Sequence, residues 1–444
     1  MRQLYRRVIA RFVIVLLGAF FVISPACATE YTITYLGALY AGPSAESQAY
    51  AINIHDQITG ETTSPNGDQH AFLYSGGVMM DLGTLWANTN GLSYGYAIND
   101  QGVVAGQSEN TNGEYNPFYL QTAVPGARMV DMGTLGGVEG GIAFGINNLN
   151  AIVGDATTTD DQIANAFLSS VGGTMQNLGL TSYDYSGGRG INDSGVIVGQ
   201  VQLDVSGEPY VPFIDTGTGI TELPLNPGDT SGNANAINAS GVAVGVSGSQ
   251  AVAWLGGATG SVQSLGYLPT NGTSPSSVAL GLNDVGQIVG ASEVSFAIPH
   301  AFIYENGKMS DLNDLIAPGH AAGFAYLARA TGINNNGDIT GYGLQTNGDA
   351  YFGFLAKVYA PSGGLSGPAI VMNRPVLTNN QALLNFSVYN LSNATYHLLE
   401  TPQVNTNSWS TNTTAVFTTN VLDSSYRFTD TKSPGTRYYR VRSP

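Results

Sequence analysis

The sequence predicts an all-β protein: a seven-bladed β-propeller of four-stranded blades, closed by its own N-terminal strand and followed by a small β-sandwich-like domain. Three observations carry this. A phrase typified by Ile98-Asn99-Asp100-Gln101-Gly102-Val103-Val104-Ala105-Gly106 returns with its asparagine at Asn53, Asn99, Asn147, Asn192, Asn238, Asn283 and Asn334, at gaps of 46, 48, 45, 46, 45 and 51 residues. A glycine follows each asparagine by seven: Gly60, Gly106, Gly154, Gly199, Gly245, Gly290 and Gly341. Each period holds four short apolar runs between turn-rich segments, which is the content of a propeller blade.

Residues 1–28 read as a signal peptide. Arg2, Arg6, Arg7 and Arg11 precede an apolar run from Phe12 to Ile23, and Ala26-Cys27-Ala28 is a small-x-small cleavage site. An uncleaved anchor is the alternative, but the run is short for a membrane span. Ser24-Pro25 is a poor lead for a lipoprotein at Cys27. Cleavage near Ala28 leaves a secreted, periplasmic or cell-surface protein without cysteine, which excludes disulfides and thiol catalysis. No long apolar segment follows, so no transmembrane segment is expected in the mature chain.

Residues 29–360 form the expected propeller. In each phrase, apolar residues lead into the asparagine and out to the glycine, which reads as strand, tight turn, strand. The third residue after the asparagine is Asp56, Gly102, Asn150, Gly195, Gly241, Gly286 or Gly337, all types that tolerate positive φ. A type I turn followed by a left-handed residue fits this pattern. Calcium is the other use for such oxygens, but Asp100, Asp193 and Asp284 become Ile54, Asn148, Ala239 and Asn335 in other copies, so no motif supports it. A large aromatic recurs at Phe72, Phe118, Phe167, Phe213, Trp254, Phe302 and Phe354, followed by phrases such as Asp81-Leu82-Gly83-Thr84-Leu85 and Asp131-Met132-Gly133-Thr134-Leu135.

His70-Ala71-Phe72-Leu73-Tyr74, Asp81-Leu82-Gly83-Thr84-Leu85 and the Ile-Asn-Asp-x-Gly phrase resemble the extracellular bacterial repeat family called HAF, over roughly residues 31–360. The histidine is kept only at His70 and His300. The resemblance implies an exported bacterial repeat protein and brings no activity or catalytic residues with it.

Tyr35-Leu36-Gly37-Ala38-Leu39 matches the Asp-Leu-Gly-Thr-Leu strand that the last repeat lacks after Phe354-Leu355. The N-terminal strand should therefore complete the last blade and remove two exposed edges. Meander parity then places the two longer sets of connections on one face, which becomes the candidate binding face. Pro361 to Pro368 reads as a linker over 361–368. Residues 369–444 alternate in strand fashion and resemble the small β-sandwich modules that end secreted bacterial proteins, with Trp409 in the core.

The propeller is acidic: residues 29–360 carry 28 Asp and Glu against Arg128, Arg189, Lys308, Arg329 and Lys357. Nucleic acid is disfavoured as a partner, since phosphate wants a basic face. The five histidines lack metal-ligand spacing, and there is no supported nucleophile elbow or phosphate loop. No catalytic residue, metal ligand or cofactor is assigned. The candidate ligand-binding residues are Trp86, Tyr94, Tyr115, Tyr183, Tyr185 and Tyr210, whose rings could stack on sugars, with Asp160, Asp161 and Glu208 as loop carboxylates. The expected function is noncatalytic binding of a glycan or extracellular protein by a monomer. The alternatives are a carbohydrate-active hydrolase or lyase using loop carboxylates, and a purely structural cell-surface protein.

Overall fold

A computed structural model describes residues 29–359 except the segments 87–90, 160–162, 179–182, 204–206, 208, 258–259, 273–274, 296–297 and 347–349; beyond residue 359 only strands are described. The signal segment 1–28, the linker 361–368 and Trp409 lie outside the described residues. The chain is all-β with a propeller arrangement, and its one described helical turn is Asn313–Leu315. Among the described residues no helix is long and apolar enough to cross a membrane.

The first repeat shows the unit. Ser47–Ile52, Ile58–Thr63, Gln69–Ser75 and Val78–Asp81 pair in that order as an antiparallel meander. The last sheet is completed as expected: Tyr31–Tyr35 pairs with Tyr351–Val358, placing Tyr31 opposite Val358. Antiparallel order puts the asparagine turns at one end of the ring. The starts of the first strands lie at the other end, together with the connections from second to third strand.

The blade count departs from expectation. Five separate four-stranded sheets are present, while the second and third repeats run together into one eight-stranded sheet. Their junction is a single parallel pairing of Gly140 with Tyr115. The cause is local. The first strand of the third repeat, Gly136–Ile146, is extended at its start by a glycine-rich stretch. A Cβ at Gly140 would lie 2.0 Å from the Tyr115 carbonyl oxygen, so only glycine lets the two backbones meet.

The repeated glycines are explained by packing. Each first strand carries a β-bulge just before its asparagine, as between Gly95 and Ala97 or between Gly188 and Gly190. The bulge pushes backbone toward the second strand, and a Cβ on any of the seven glycines would lie 1.9–2.0 Å from a first-strand carbonyl oxygen. On the other side, Gly60, Gly106, Gly154, Gly199, Gly290 and Gly341 face Phe72, Phe118, Phe167, Phe213, Phe302 and Phe354 in register. Those six rings are fully buried, each contributing roughly 2–3 kcal/mol of apolar burial. The fifth repeat differs: Val252 stands opposite Gly245, and Trp254 sits two residues on, opposite Ala243. Trp254 is therefore not the register equivalent of the phenylalanines. Its indole N–H donates to the Pro224 carbonyl at 2.7 Å.

The seam between the first and last repeats is held by charge. Lys357 Nζ lies 2.5 Å from Asp56 and 3.6 Å from Asp338. Burial, reinforced by Asp56, pushes the Asp338 carboxyl up to about 7 despite the pull of Lys357. A carboxyl raised above its unfolded value holds its proton more tightly in the fold, so its contribution falls as pH rises from about 4 to 7. Asp338→Asn is expected to stabilise the protein by about 1–3 kcal/mol at pH 8 and by nothing below pH ~4. Urea denaturation at the two pH values checks this.

Beyond the propeller, Ala369–Met372, Gln381–Tyr389, Ser425–Thr431 and Val416–Asn420 form one antiparallel sheet in that spatial order, with Val376–Thr378 also on Gln381–Tyr389. Ser410–Thr411, His397–Thr401 and Tyr438–Arg442 form a second.

Candidate functional site

The channel wall is built from the first strands of the seven repeats, each neighbouring the first strands on either side. At the turn end, every repeated asparagine does two jobs. Its Oδ1 accepts the backbone N–H four residues on and, in all but Asn283, also the one two residues on, as Asn147 does from Leu149 at 3.0 Å and Ala151 at 2.8 Å. Its Nδ2 donates to the main-chain oxygen of the next repeated asparagine. The chain of donors runs Asn53, Asn99, Asn147, Asn192, Asn238, Asn283, Asn334 and back to Asn53, at 2.9–3.2 Å. The third residue after each asparagine has positive φ, from 58° at Asp56 to 86° at Gly286, as the turn pattern requires.

This girdle, with a ring of Ile52, Ile98, Ile146, Ile191, Ile237, Leu282 and Ile333, lines a recess of about 210 Å³. The ring amides are committed to each other. Asp100, Asp193 and Asp284 at its mouth receive backbone N–H groups from the preceding repeat, at Ile54, Asn148 and Ala239. Among the described residues no group of three His, Cys, Asp or Glu is placed to hold a metal ion.

The other end of the channel has different chemistry. Beyond the isoleucine ring, the wall residues are those three and five before each asparagine. Around one arc they are Arg329 and Thr331, Gln48 and Tyr50, Tyr94 and Tyr96, Ile142 and Phe144, then Arg189. The rings form a continuous row. Tyr50 stacks on Tyr96 at 5.5 Å, Tyr94 on Tyr96 at 6.2 Å, and Tyr96 meets Phe144 at 5.6 Å. The Arg189 guanidinium lies over Phe144, 4.0 Å from its centroid. The remaining arc presents Asn233, Asn235, Val278 and Leu280, without rings or charge.

One carboxylate holds a ring of this row and a second holds a neighbouring tyrosine. Tyr50 donates to Glu61 at 2.7 Å, and Tyr185 donates to Asp155 at 2.7 Å. Burial raises both carboxyls, against the hydrogen bonds from those tyrosines and, for Asp155, the nearby Arg189 charge. Burial, joined by the charge of Glu61, pushes Tyr94 up to about 12.

The expected residues fall into this picture unevenly. Tyr94 and Tyr185 are at the site but on inner strands rather than in loops. Tyr210 meets Tyr185 edge-on at 5.6 Å. Tyr115 opens the third strand of its repeat opposite Glu109, and the Trp86 N–H donates to the Glu109 carbonyl, so both sit beside Tyr94's end of the row. Tyr183 donates to Glu222 at 2.8 Å, on the outer strand of its sheet, away from the channel row. Asp160, Asp161 and Glu208 lie outside the described residues. Sequence reasoning missed Tyr50, Tyr96, Phe144, Arg189, Glu61 and Asp155. The available signal was positional: residues three and five before each asparagine share one face of the first strand.

The two histidines that share a repeat position each bind an aspartate of the outermost strand. His70 Nδ1 lies 2.9 Å from Asp81, and His300 Nδ1 2.7 Å from Asp311. Asn116 Nδ2 makes the same bond to Asp131 in the second repeat. The histidine of the first repeat thus latches the outermost strand, and asparagine replaces it without losing the donor.

Compared with known proteins, the chain matches no family model, no curated protein and no solved structure.

Proposed function

We propose that this is an exported, noncatalytic binding protein that holds a glycan at the long-loop mouth of its channel. The carrying observation is the row Tyr50, Tyr94, Tyr96 and Phe144 on one arc of the wall, with Glu61 and Asp155 orienting the flanking hydroxyls. Rigid rings on strands offer contact area to the apolar faces of sugars at little entropic cost. Acceptors and hydroxyls beside them suit sugar hydroxyls. In this reading the eight-stranded sheet is two fused blades, which makes the ring seven-bladed, of HAF-like repeats. The two C-terminal sheets then form a sandwich-like module after the linker, and the signal sequence sends the monomer outside the cytoplasm.

A second reading is favoured by one observation. Two carboxyls raised by burial flank the same row, and glycosidases use such pairs. An extracellular protein ligand and a purely structural role are the remaining readings. The test is a polysaccharide binding screen of the full mature chain, with and without calcium, with released sugar measured in the same wells. Saturable binding without release is expected. Tyr96→Ala should weaken it at least tenfold, a typical loss for a central aromatic anchor. Sugar release abolished by Glu61→Gln would establish the hydrolase instead.

A further inference from the structure

We propose that the glycan is acidic, a carboxylated saccharide chain whose carboxylates pair with Arg189 and Arg329; this rests on the glycan reading above. Residues 29–360 contain only five Lys and Arg among 28 Asp and Glu. Two of the five stand on the channel wall, and they bracket the aromatic row. Around the ring the order is Arg329, Tyr50, Tyr96 with Tyr94, Phe144, Arg189. A chain lying along the rings would meet a guanidinium at each end.

Neither arginine makes an ion pair among the described residues, in a domain where carboxylates outnumber cations more than five to one. Lys357, by contrast, is paired twice. Arg189 spends the face of its guanidinium on Phe144, which fixes the plane, and a fixed planar fork is what two-point carboxylate recognition uses. The two acids nearby do not fill this role for the ligand. Glu61 is engaged by Tyr50 and Asp155 by Tyr185, and both are held down among the tyrosines that they orient. Arg329 stands opposite Tyr342 in register, on the same side of its sheet as the row.

The experiment titrates the full mature chain with polygalacturonate and alginate oligomers and with their methyl esters, which keep the sugar and remove the charge. The wild type is expected to prefer each acid over its ester by about tenfold or more, with the preference shrinking in 0.5 M salt. Arg189→Gln with Arg329→Gln should reduce the preference to within about twofold and leave ester binding in place, and Arg189→Lys should restore part of it. Thermal melting of each variant separates lost recognition from lost folding. Equal binding of acid and ester by the wild type would overturn the acidic ligand and keep the glycan reading. A preference that survives in the double glutamine variant would overturn the arginine assignment. No binding to any acid, ester or neutral polysaccharide would overturn both readings together.

Discussion

Gly199→Ala is expected to cost more than about 4 kcal/mol and to leave little soluble protein, although it adds one methyl group. The Cβ would lie 2.0 Å from the Gly187 carbonyl oxygen and 2.9 Å from the Phe213 ring. Relief is blocked on both sides. Ile197–Gln202 is paired with Tyr185–Ile191 and with Val211–Asp215, so the strand cannot retreat without breaking two ladders. The neighbouring Gly195→Ala separates the two reasons a glycine can be required. Gly195 has φ 79° with nothing within 4 Å of a Cβ, so its cost is conformational, about 1 kcal/mol. Guanidinium denaturation of the two variants should give well-separated midpoints. Equal costs would show that turn conformation, and not the bulge contact, fixes the glycine.

The second large effect is at the girdle. Asn147→Ala removes the acceptor for Leu149 and Ala151 and the donor to Asn192, from a side chain that is itself buried. Orphaned buried polar groups cost about 1–3 kcal/mol each before relaxation, so a net loss of about 3 kcal/mol is expected. Asn147→Asp is the informative partner. It keeps the Oδ1 that caps the turn, loses the donor, and sets a carboxylate against the Asn192 carbonyl. A loss of about 2–3 kcal/mol at pH 7 is expected for it too. A neutral Asn147→Asp would mean that the asparagine serves its own turn only. Because the girdle links every repeat to the next, the loss should appear as lower stability of the whole ring, seen as one cooperative transition at a lower urea midpoint.

Most of the scaffold could be read from the chain because its causes are local. The left-handed residue three after each asparagine, the hairpins around it and the closing strand Tyr31–Tyr35 follow from neighbours in sequence or from one missing strand. The fused sheet could not be read this way, since it depends on Gly140 meeting Tyr115 across a repeat boundary. Trp254 was aligned by size with the phenylalanines, whereas register put Val252 in their place. Size is visible in a sequence; register is decided by the ladder.

The candidate site was half legible. Tyr94 and Tyr185, legible as candidate aromatics, reach the site through the first strands, and Tyr210 lies against Tyr185. Tyr50, Tyr96, Phe144 and Arg189 looked like ordinary strand residues, because alternation says which face a side chain takes and not what that face meets.

The sequence by itself determined the period, the turn chemistry, the acidity and the closure of the last sheet, since each depends on residues within one repeat or on composition. Tertiary structure alone decided what the asparagine amide donates to, why the glycine has no substitute and which side chains share the channel. Those partners lie about 45 residues or more apart, or across a bulge, and only closing the ring brings them within bonding distance.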